Sequence, residues 1–347
     1  MHALATIVKP LPGHLFTPHE ASAEMRWEAM AGQGFHTPTD RFFVRNHTST
    51  PFIDASTWRL RLHGAGLRSP GDYDYEQLLA MPARTLDAAI ECAGNGRRFY
   101  GTQQHSPTPG TQWGLGGIGV ARWRGVPLRH LLEHAGLRPD AVDVLPVGLD
   151  APFEHHGHVR RPLPVAKALD DVLLAYEMNG EPLPPDHGFP VRLVVPGWVG
   201  IASIKWLGDI EVATHELFTP WNTEFYPHVT TQPVKSAFEL AWDTPFLLGR
   251  PQVIHGRSWS GHGRIVKVEV SFDGGRTWKT AEHHGPHLVS AWLPWHIDWT
   301  PRRLGPQVLM ARATDETGAT QRATIPRQPF GYHFDAVVQH PIRVIPG

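Results

Sequence analysis

Leu86-Asp87-Ala88-Ala89-Ile90-Glu91-Cys92-Ala93-Gly94-Asn95-Gly96-Arg97-Arg98 reads as an apolar strand that runs out after Ile90 into a glycine-containing loop. Cys92 is the only cysteine of the chain, so no internal disulfide accounts for it. A thiolate is a soft ligand for soft metals, and the two guanidinium groups that follow favour a thiolate and attract anions. An isolated cysteine is more often a small buried hydrophobe, and the rest of the chain decides between these readings.

With 347 residues, 41% of them hydrophobic, the chain is long for one core and rich enough for two. A formal net charge of −1 argues against a nucleic-acid or anionic-membrane surface, which needs a concentrated basic face. Only six of the 32 basic residues are lysine. Arginine's planar fork suits oxyanions, although a GC-rich genome produces the same bias. No apolar run is long enough to span a membrane, and residues 1–16 lack the continuous apolar segment of a secretory signal. The chain as given is therefore expected in the cytoplasm, or in the periplasm if a leader was removed.

With 34 glycines and 33 prolines the chain should hold many turns and little long helix. Arg59-Leu60-Arg61-Leu62 and Pro190-Val191-Arg192-Leu193-Val194-Val195-Pro196 read as strands, and Pro127-Leu128-Arg129-His130-Leu131-Leu132-Glu133-His134-Ala135-Gly136 as a short helix ended by glycine. Without a regular βαβ rhythm, this first part is α+β. After Thr231-Gln232-Pro233 the pattern becomes strands and turns. In Arg264-Ile265-Val266-Lys267-Val268-Glu269-Val270-Ser271-Phe272, alternation puts Val266, Val268, Val270 and Phe272 on one face. Asp273-Gly274-Gly275 then turns the chain into Arg276-Thr277-Trp278-Lys279. About 110 residues of this kind suit an immunoglobulin-like β-sandwich. The division expected is residues 1–232 and 233–347.

Gly114-Leu115-Gly116-Gly117-Ile118-Gly119 matches a dinucleotide fingerprint in form only, because Pro107 and Pro109 precede it and Arg122-Trp123-Arg124-Gly125 interrupts any helix after it. His155, His156 and His158 lack zinc-site spacing and read as a solvated loop. What stands out is a set of ordered pieces. They are Phe42-Phe43-Val44-Arg45-Asn46-His47, the Cys92 loop, residues 119–126, Gly148-Leu149-Asp150, residues 174–184, and residues 186–192 running on to Ser203-Ile204-Lys205-Trp206-Leu207. Together they resemble the molybdopterin core of the sulfite oxidase family. Trp259-Ser260-Gly261 and residues 271–278 are similar to that family's dimerisation domain. The resemblance covers residues 35–300, in the family's order.

The resemblance implies that Cys92 ligates molybdenum of a molybdenum-molybdopterin cofactor (Moco). It implies that Arg45, His47, Asp150, His187, Arg192, Ser203 and Lys205 hold the pterin and its phosphate. Cations and a hydroxyl suit a phosphate, and a carboxylate suits ring N–H donors. Sulfite is a small dianion and needs fixed positive charge, for which Arg45 and Arg97 are expected, with Trp113 lining the pocket, Arg98 as the alternative to Arg97, and Tyr226 as the tyrosine. Relatives carry an arginine near the C-terminal end where this chain reads Gln328-Pro329-Phe330-Gly331. The activity implied is oxidation of sulfite to sulfate by oxygen-atom transfer, with electrons passing to an external acceptor such as a c-type cytochrome, in a homodimer. No haem or flavin motif is present. A stand-alone nitrate or S-/N-oxide reductase and a cofactor-free binding scaffold are the alternatives.

Overall fold

Arg84–Glu91 forms a strand whose last four residues are buried. It pairs antiparallel with Ile118–Pro127 over its whole length, from Arg84↔Gly125 to Glu91↔Ile118, so that Cys92 leaves the sheet at its edge. The computed structural model describes residues 6–347; residues 1–5, where the stretch expected to lack a signal segment begins, lie outside them. Ile118–Pro127 also pairs with Leu173–Met178, which continues to Glu181–Pro182 and to Arg192–Val194. The strand expected over residues 190–196 is thus limited to Arg192–Val194.

A second sheet takes the order Gly71–Asp74, Arg59–His63, Leu207–Ala213, Asp143–Gly148 and Leu163–Pro164, with Arg59–His63 and Leu207–Ala213 parallel. The expected helix is Leu128–His134; its Leu128, Leu131 and Leu132 are fully buried between the sheets with Leu60, Val144, Leu193 and Ile210. A hairpin, Phe16–His19 with Ser22–Met25, joins Val44–Arg45 in a third, small sheet.

The glycine-rich stretch 114–119 leads into a strand and no helix. A Cβ on Gly116 would lie 1.6 Å from the Met25 carbonyl oxygen and one on Gly119 2.5 Å from the Phe42 ring, so these glycines serve backbone packing against the N-terminal segment.

From Lys235 onward the chain forms two facing sheets. One has the order Lys235–Phe238, Gln252–Trp259, Leu293–Trp299, Glu282–His283; the other Thr244–Leu247, Gln339–Ile345, Gly305–Asp315, Ile265–Ser271, Lys279–Thr280. Phe238, Ile254, Val268, Val270, Leu293, Trp295 and Leu309 fill the space between them, the core of the expected β-sandwich. Val268 and Val270 point inward as expected, but Val266 is 50% exposed. A register shift between Ile265 and Lys267 breaks the alternation and turns Ile265 to the core instead, a local irregularity that period-two reading cannot foresee.

The two parts are joined by an apolar cluster in which Trp27, Phe99, Tyr100, Trp259, Trp292 and Phe334 meet. Beside it Lys235, on the first strand of the sandwich, donates from Nζ to Glu91 Oε1 and to the Asn95 carbonyl, both at 2.8 Å. Among the described residues no helix is long and apolar enough to cross a membrane.

Candidate functional site

Cys92 sits where the strand becomes a tight turn. Its N–H donates to the Gly117 carbonyl (2.8 Å), and its own carbonyl accepts from the Asn95 N–H (2.9 Å). Asn95 is fully buried and braces both sides of the turn: its amide donates to Glu91 Oε1 (3.0 Å) and its oxygen accepts from the Gly117 N–H (3.0 Å). Gly96 follows with φ +91°, where a Cβ would lie 3.2 Å from Phe334, and the chain enters the helix Arg98–Thr102. The thiol is free and partly exposed.

In front of Cys92 opens a cleft enclosing about 750 Å³, part of it open to solvent. Its lining brings together eight of the predicted cofactor and metal residues, Cys92, Arg45, His47, Asp150, His187, Arg192, Ser203 and Lys205, and also Tyr226. These residues come from all the segments that the sequence set apart, because the edges of the two large sheets and the loop before Val44–Arg45 converge there.

The cleft is strongly cationic, and its cations are held mainly by neutral acceptors. Arg192 is buried, donates to the carbonyls of His187 (3.0 Å) and Ser203 (2.9 Å), and lies 5.2 Å from the Trp123 ring; burial pushes its pKa down to about 9. Lys205 donates to Asn46 Oδ1 and to the Asp186 carbonyl, and is held well below the ordinary lysine value by burial and then by Arg192. Arg45 donates to His47 Nε2 (2.9 Å) and to the Asn46 carbonyl. His47 and His187 are both held well below the usual histidine range, first by burial and next by a neighbouring cation, Arg45 and Lys9 respectively.

Two carboxylates face this group. Asp186 accepts from the Val8 and Lys9 N–H groups (3.0 and 2.7 Å) and from the Thr50 hydroxyl (2.5 Å), which ties down the N-terminal segment. Asp150 is buried with Oδ1 unpartnered, and burial pushes its carboxyl up to about 6. An enclosed set of cations with an orphaned acceptor beside it suits a ligand that carries a phosphate and ring N–H donors. The donor set therefore fits a phosphorylated pterin, with the Cys92 thiol at the cleft wall as a ligand for a soft metal.

The residues expected around the substrate are divided. Tyr226 lines the cleft. Arg97 is buried behind the Cys92 turn and its guanidinium lies 5.0 Å from the Tyr332 ring, donating to the carbonyls of Phe330 and Thr111, both at 2.9 Å. Arg98 is exposed and faces the Phe99 ring, so of the two arginines Arg97 is the one turned inward. Trp113 is fully buried beneath the turn, beside Phe43 and His19, and does not line the cleft. His155 and His156 lie in a single 3-10 turn, Glu154–His156, His155 exposed and His156 partly so, where a solvated loop was expected, and His158 Nδ1 contacts the Asp150 carbonyl (2.6 Å).

Several contributors were not singled out from sequence. Asn46 and Asp186 stand inside quoted motifs, one residue from Arg45 and His187, and their neighbours' spacing was the available signal. Tyr332 stacks on Tyr226 with centroids 4.9 Å apart and occupies the segment just past Gln328-Pro329-Phe330-Gly331. Lys9 donates to the carbonyls of Thr39 (2.8 Å) and Phe42 (2.9 Å), and nothing in its surroundings in sequence marks it.

Residues 47–221 match the family described as oxidoreductase molybdopterin binding domain, and residues 233–332 the Mo-co oxidoreductase dimerisation domain. Mitochondrial sulfite oxidase of Rattus norvegicus is 34% identical over 84% of this chain and 58% of its own length. Sulfite oxidase of Gallus gallus is 36% identical over 85% of this chain and 70% of its own. The chain thus spans about three-fifths of the length of the rat relative. Among solved structures, the sulfane dehydrogenase SoxCD of Paracoccus pantotrophus superposes with a TM-score of 0.83 at 30% identity, covering 96% of this chain and 87% of that one. Matched in both domains, and more than a third identical to a relative of which it covers over two-thirds, the chain belongs to the sulfite oxidase family of molybdopterin oxidoreductases.

Proposed function

We propose that this protein oxidises sulfite to sulfate. Sulfite gains one oxygen atom that derives from water, and two electrons and two protons are released; the electrons leave singly to an external acceptor, for which a c-type cytochrome is the expected class. The observation that carries this reading is the single thiol of Cys92 at the wall of a cation-lined cleft, with Arg97 buried directly behind the turn. Bound molybdopterin supplies the molybdenum centre that accepts two electrons while passing an oxygen atom.

In this reading Cys92 is the protein's metal ligand. Arg192, Lys205, Arg45 and Ser203, with His47 and His187, hold the phosphate and pterin, and Asp150 accepts from ring N–H groups. The depressed pKa values of Lys205 and Arg192 express burial, which for Lys205 outweighs the nearby Asp186 and Asp150, so an incoming anion raises them again and is bound the more firmly for it. Arg45 and Arg97 supply positive charge for the sulfite dianion, Tyr226 a hydroxyl, and Trp113 the rigid floor under the Cys92 turn. Arg45 lines the cleft, whereas Arg97 stands behind the Cys92 turn, its guanidinium held by the Phe330 and Thr111 carbonyls, and its charge acts from there. Residues 1–232 form the cofactor-binding part and 233–347 the part through which two copies pair.

Metal analysis together with turnover tests this. One molybdenum per chain, sulfite-dependent reduction of ferricyanide or cytochrome c, and a dimer mass by light scattering are expected. No molybdenum after expression in a cofactor-competent host would reduce the chain to a scaffold, and viologen-driven nitrate reduction without sulfite oxidation would overturn the substrate.

A further inference from the structure

The stretch that leads into Leu163–Pro164 carries Arg161, a residue that no motif marks. The Gly148 N–H donates to the Val159 carbonyl (3.0 Å) and Arg160 bridges Val147, so the backbone is extended there and the side chains of Val159 and Arg161 fall on the same face. Val159 lines the cleft and packs against the cluster of Ala93, Tyr226, Val229 and Tyr332. Arg161, one strand position further on, is only 4% exposed.

Nη2 of Arg161 donates to the Val229 carbonyl (2.7 Å) and to the Thr230 hydroxyl (3.3 Å), while Nε and Nη1 are buried without a partner. Every acceptor it has is neutral, and among the described residues no carboxylate lies within ion-pair distance of it. Val229 donates its own N–H to the Tyr226 carbonyl (3.3 Å), so the guanidinium stands one turn of chain from Tyr226, which lines the cleft. Burial brings the Arg161 pKa down to about 10, with Tyr226 opposing the shift, and the side chain is still charged at neutral pH. A buried charge held by neutral groups alone is costly, and its field is left uncompensated for an anion in the adjoining space. Tyr332, stacked on Tyr226 with centroids 4.9 Å apart, has Arg97 over its ring at 5.0 Å, so each tyrosine of the pair has its own buried guanidinium.

We propose that Arg161 is a further specificity-determining residue, whose charge acts from behind Tyr226 to draw a dianionic oxyanion to the Tyr226 wall of the Cys92 cleft. This rests on the reading of the cleft as a sulfite site. Arg161 does not line the cleft itself, so it works as a positioning residue through the field it sets up there.

The test compares molybdenum-loaded wild type with Arg161→Gln, Arg161→Lys and Thr230→Val. Glutamine keeps a donor for the Val229 carbonyl and removes the charge, whereas lysine keeps the charge. Arg161→Gln should raise the KM for sulfite about tenfold, leave kcat within about threefold, and weaken calorimetric binding of sulfate at low ionic strength by a factor similar to that in KM. Arg161→Lys should stay within about threefold of wild type in both, and Thr230→Val, which loses one bond to the guanidinium but no charge, should match wild type. Wild-type KM and sulfate affinity in Arg161→Gln, or an Arg161→Lys protein as weak as Arg161→Gln, would overturn the assignment. If Arg161→Gln does not fold, Arg161→Lys decides: a KM near wild type upholds the charge, and a tenfold rise refutes it. If sulfite is not oxidised at all, the substrate reading falls and sulfate affinity decides alone: a loss in Arg161→Gln upholds the role of Arg161, and equal affinity or no binding overturns it.

Discussion

Replacing Lys235 by methionine tests how the sandwich supports the Cys92 turn. The Lys235 and Glu91 side chains are 5% and 1% exposed, and Nζ donates at 2.8 Å both to Glu91 Oε1 and to the carbonyl of Asn95. Glu91 Oε2 has no partner of its own, so the lysine is the cation that compensates this buried carboxylate. Removing one member of such a pair typically costs about 3–5 kcal/mol, most of it the penalty of the charge left behind. For a domain of this size that corresponds to a melting temperature lower by about 10 °C. The loop carbonyl of Asn95 loses its donor at the same time, so molybdenum retention should fall with stability. Scanning calorimetry on Lys235→Met, on Glu91→Gln and on the double variant gives the comparison. A neutral amide at position 91 no longer needs a cation, and the double variant should recover at least half of the loss. A Lys235→Met protein melting within about 2 °C of wild type, or a double variant as unstable as the single one, would refute the reasoning.

Cys92→Ser should abolish molybdenum-dependent turnover while leaving the melting temperature of cofactor-free protein within a few degrees of wild type, since the side chain is partly exposed and its backbone makes the turn's bonds; retained activity would refute its role as ligand. Arg97→Gln should raise the KM for sulfite well above tenfold and also cost about 2–3 kcal/mol in stability, because the guanidinium holds the carbonyls of Phe330 and Thr111; steady-state kinetics and calorimetry separate the two effects, and an unchanged KM would remove Arg97 from the substrate pocket. Asp150 has a carboxyl pushed up to about 6 by burial, above its unfolded value, so the folded state holds the proton more tightly. Cofactor-free protein should then lose up to about 3 kcal/mol as pH rises from about 4 to about 6, with the loss persisting above. Asp150→Asn should remove that dependence, be the more stable protein at pH 7.5 and equal wild type near pH 4; parallel pH profiles by chemical denaturation would count against this.

The sequence by itself determined the class of the fold, the family and most of the cleft. Alternation and turn residues after residue 233 are local properties, and so is the helix Leu128–His134 with its terminal glycine, because the chain's own periodicity decides which face is apolar. Cys92 was legible only through the ordered motifs around it, since a sole thiol after an apolar run is more often a small buried hydrophobe. Tertiary structure decided what depends on partners far along the chain. Arg97 and Arg98 are equivalent in sequence, and only the helix start at Arg98 turns the first inward under Tyr332 and the second outward. Trp113 was expected at the pocket wall but packs beneath the turn, since its neighbours Phe43 and His19 come from the N-terminal segment. Lys235 and Lys9 gained their positions through contacts with residues 140 or more places distant, Glu91 and Asp186, and the register shift at Ile265 reversed the facing of Val266. Burial, and with it the depressed pKa values of Lys205 and Arg192, exists only once the separated segments close around one cleft; no local pattern encodes a desolvation that distant chain segments create.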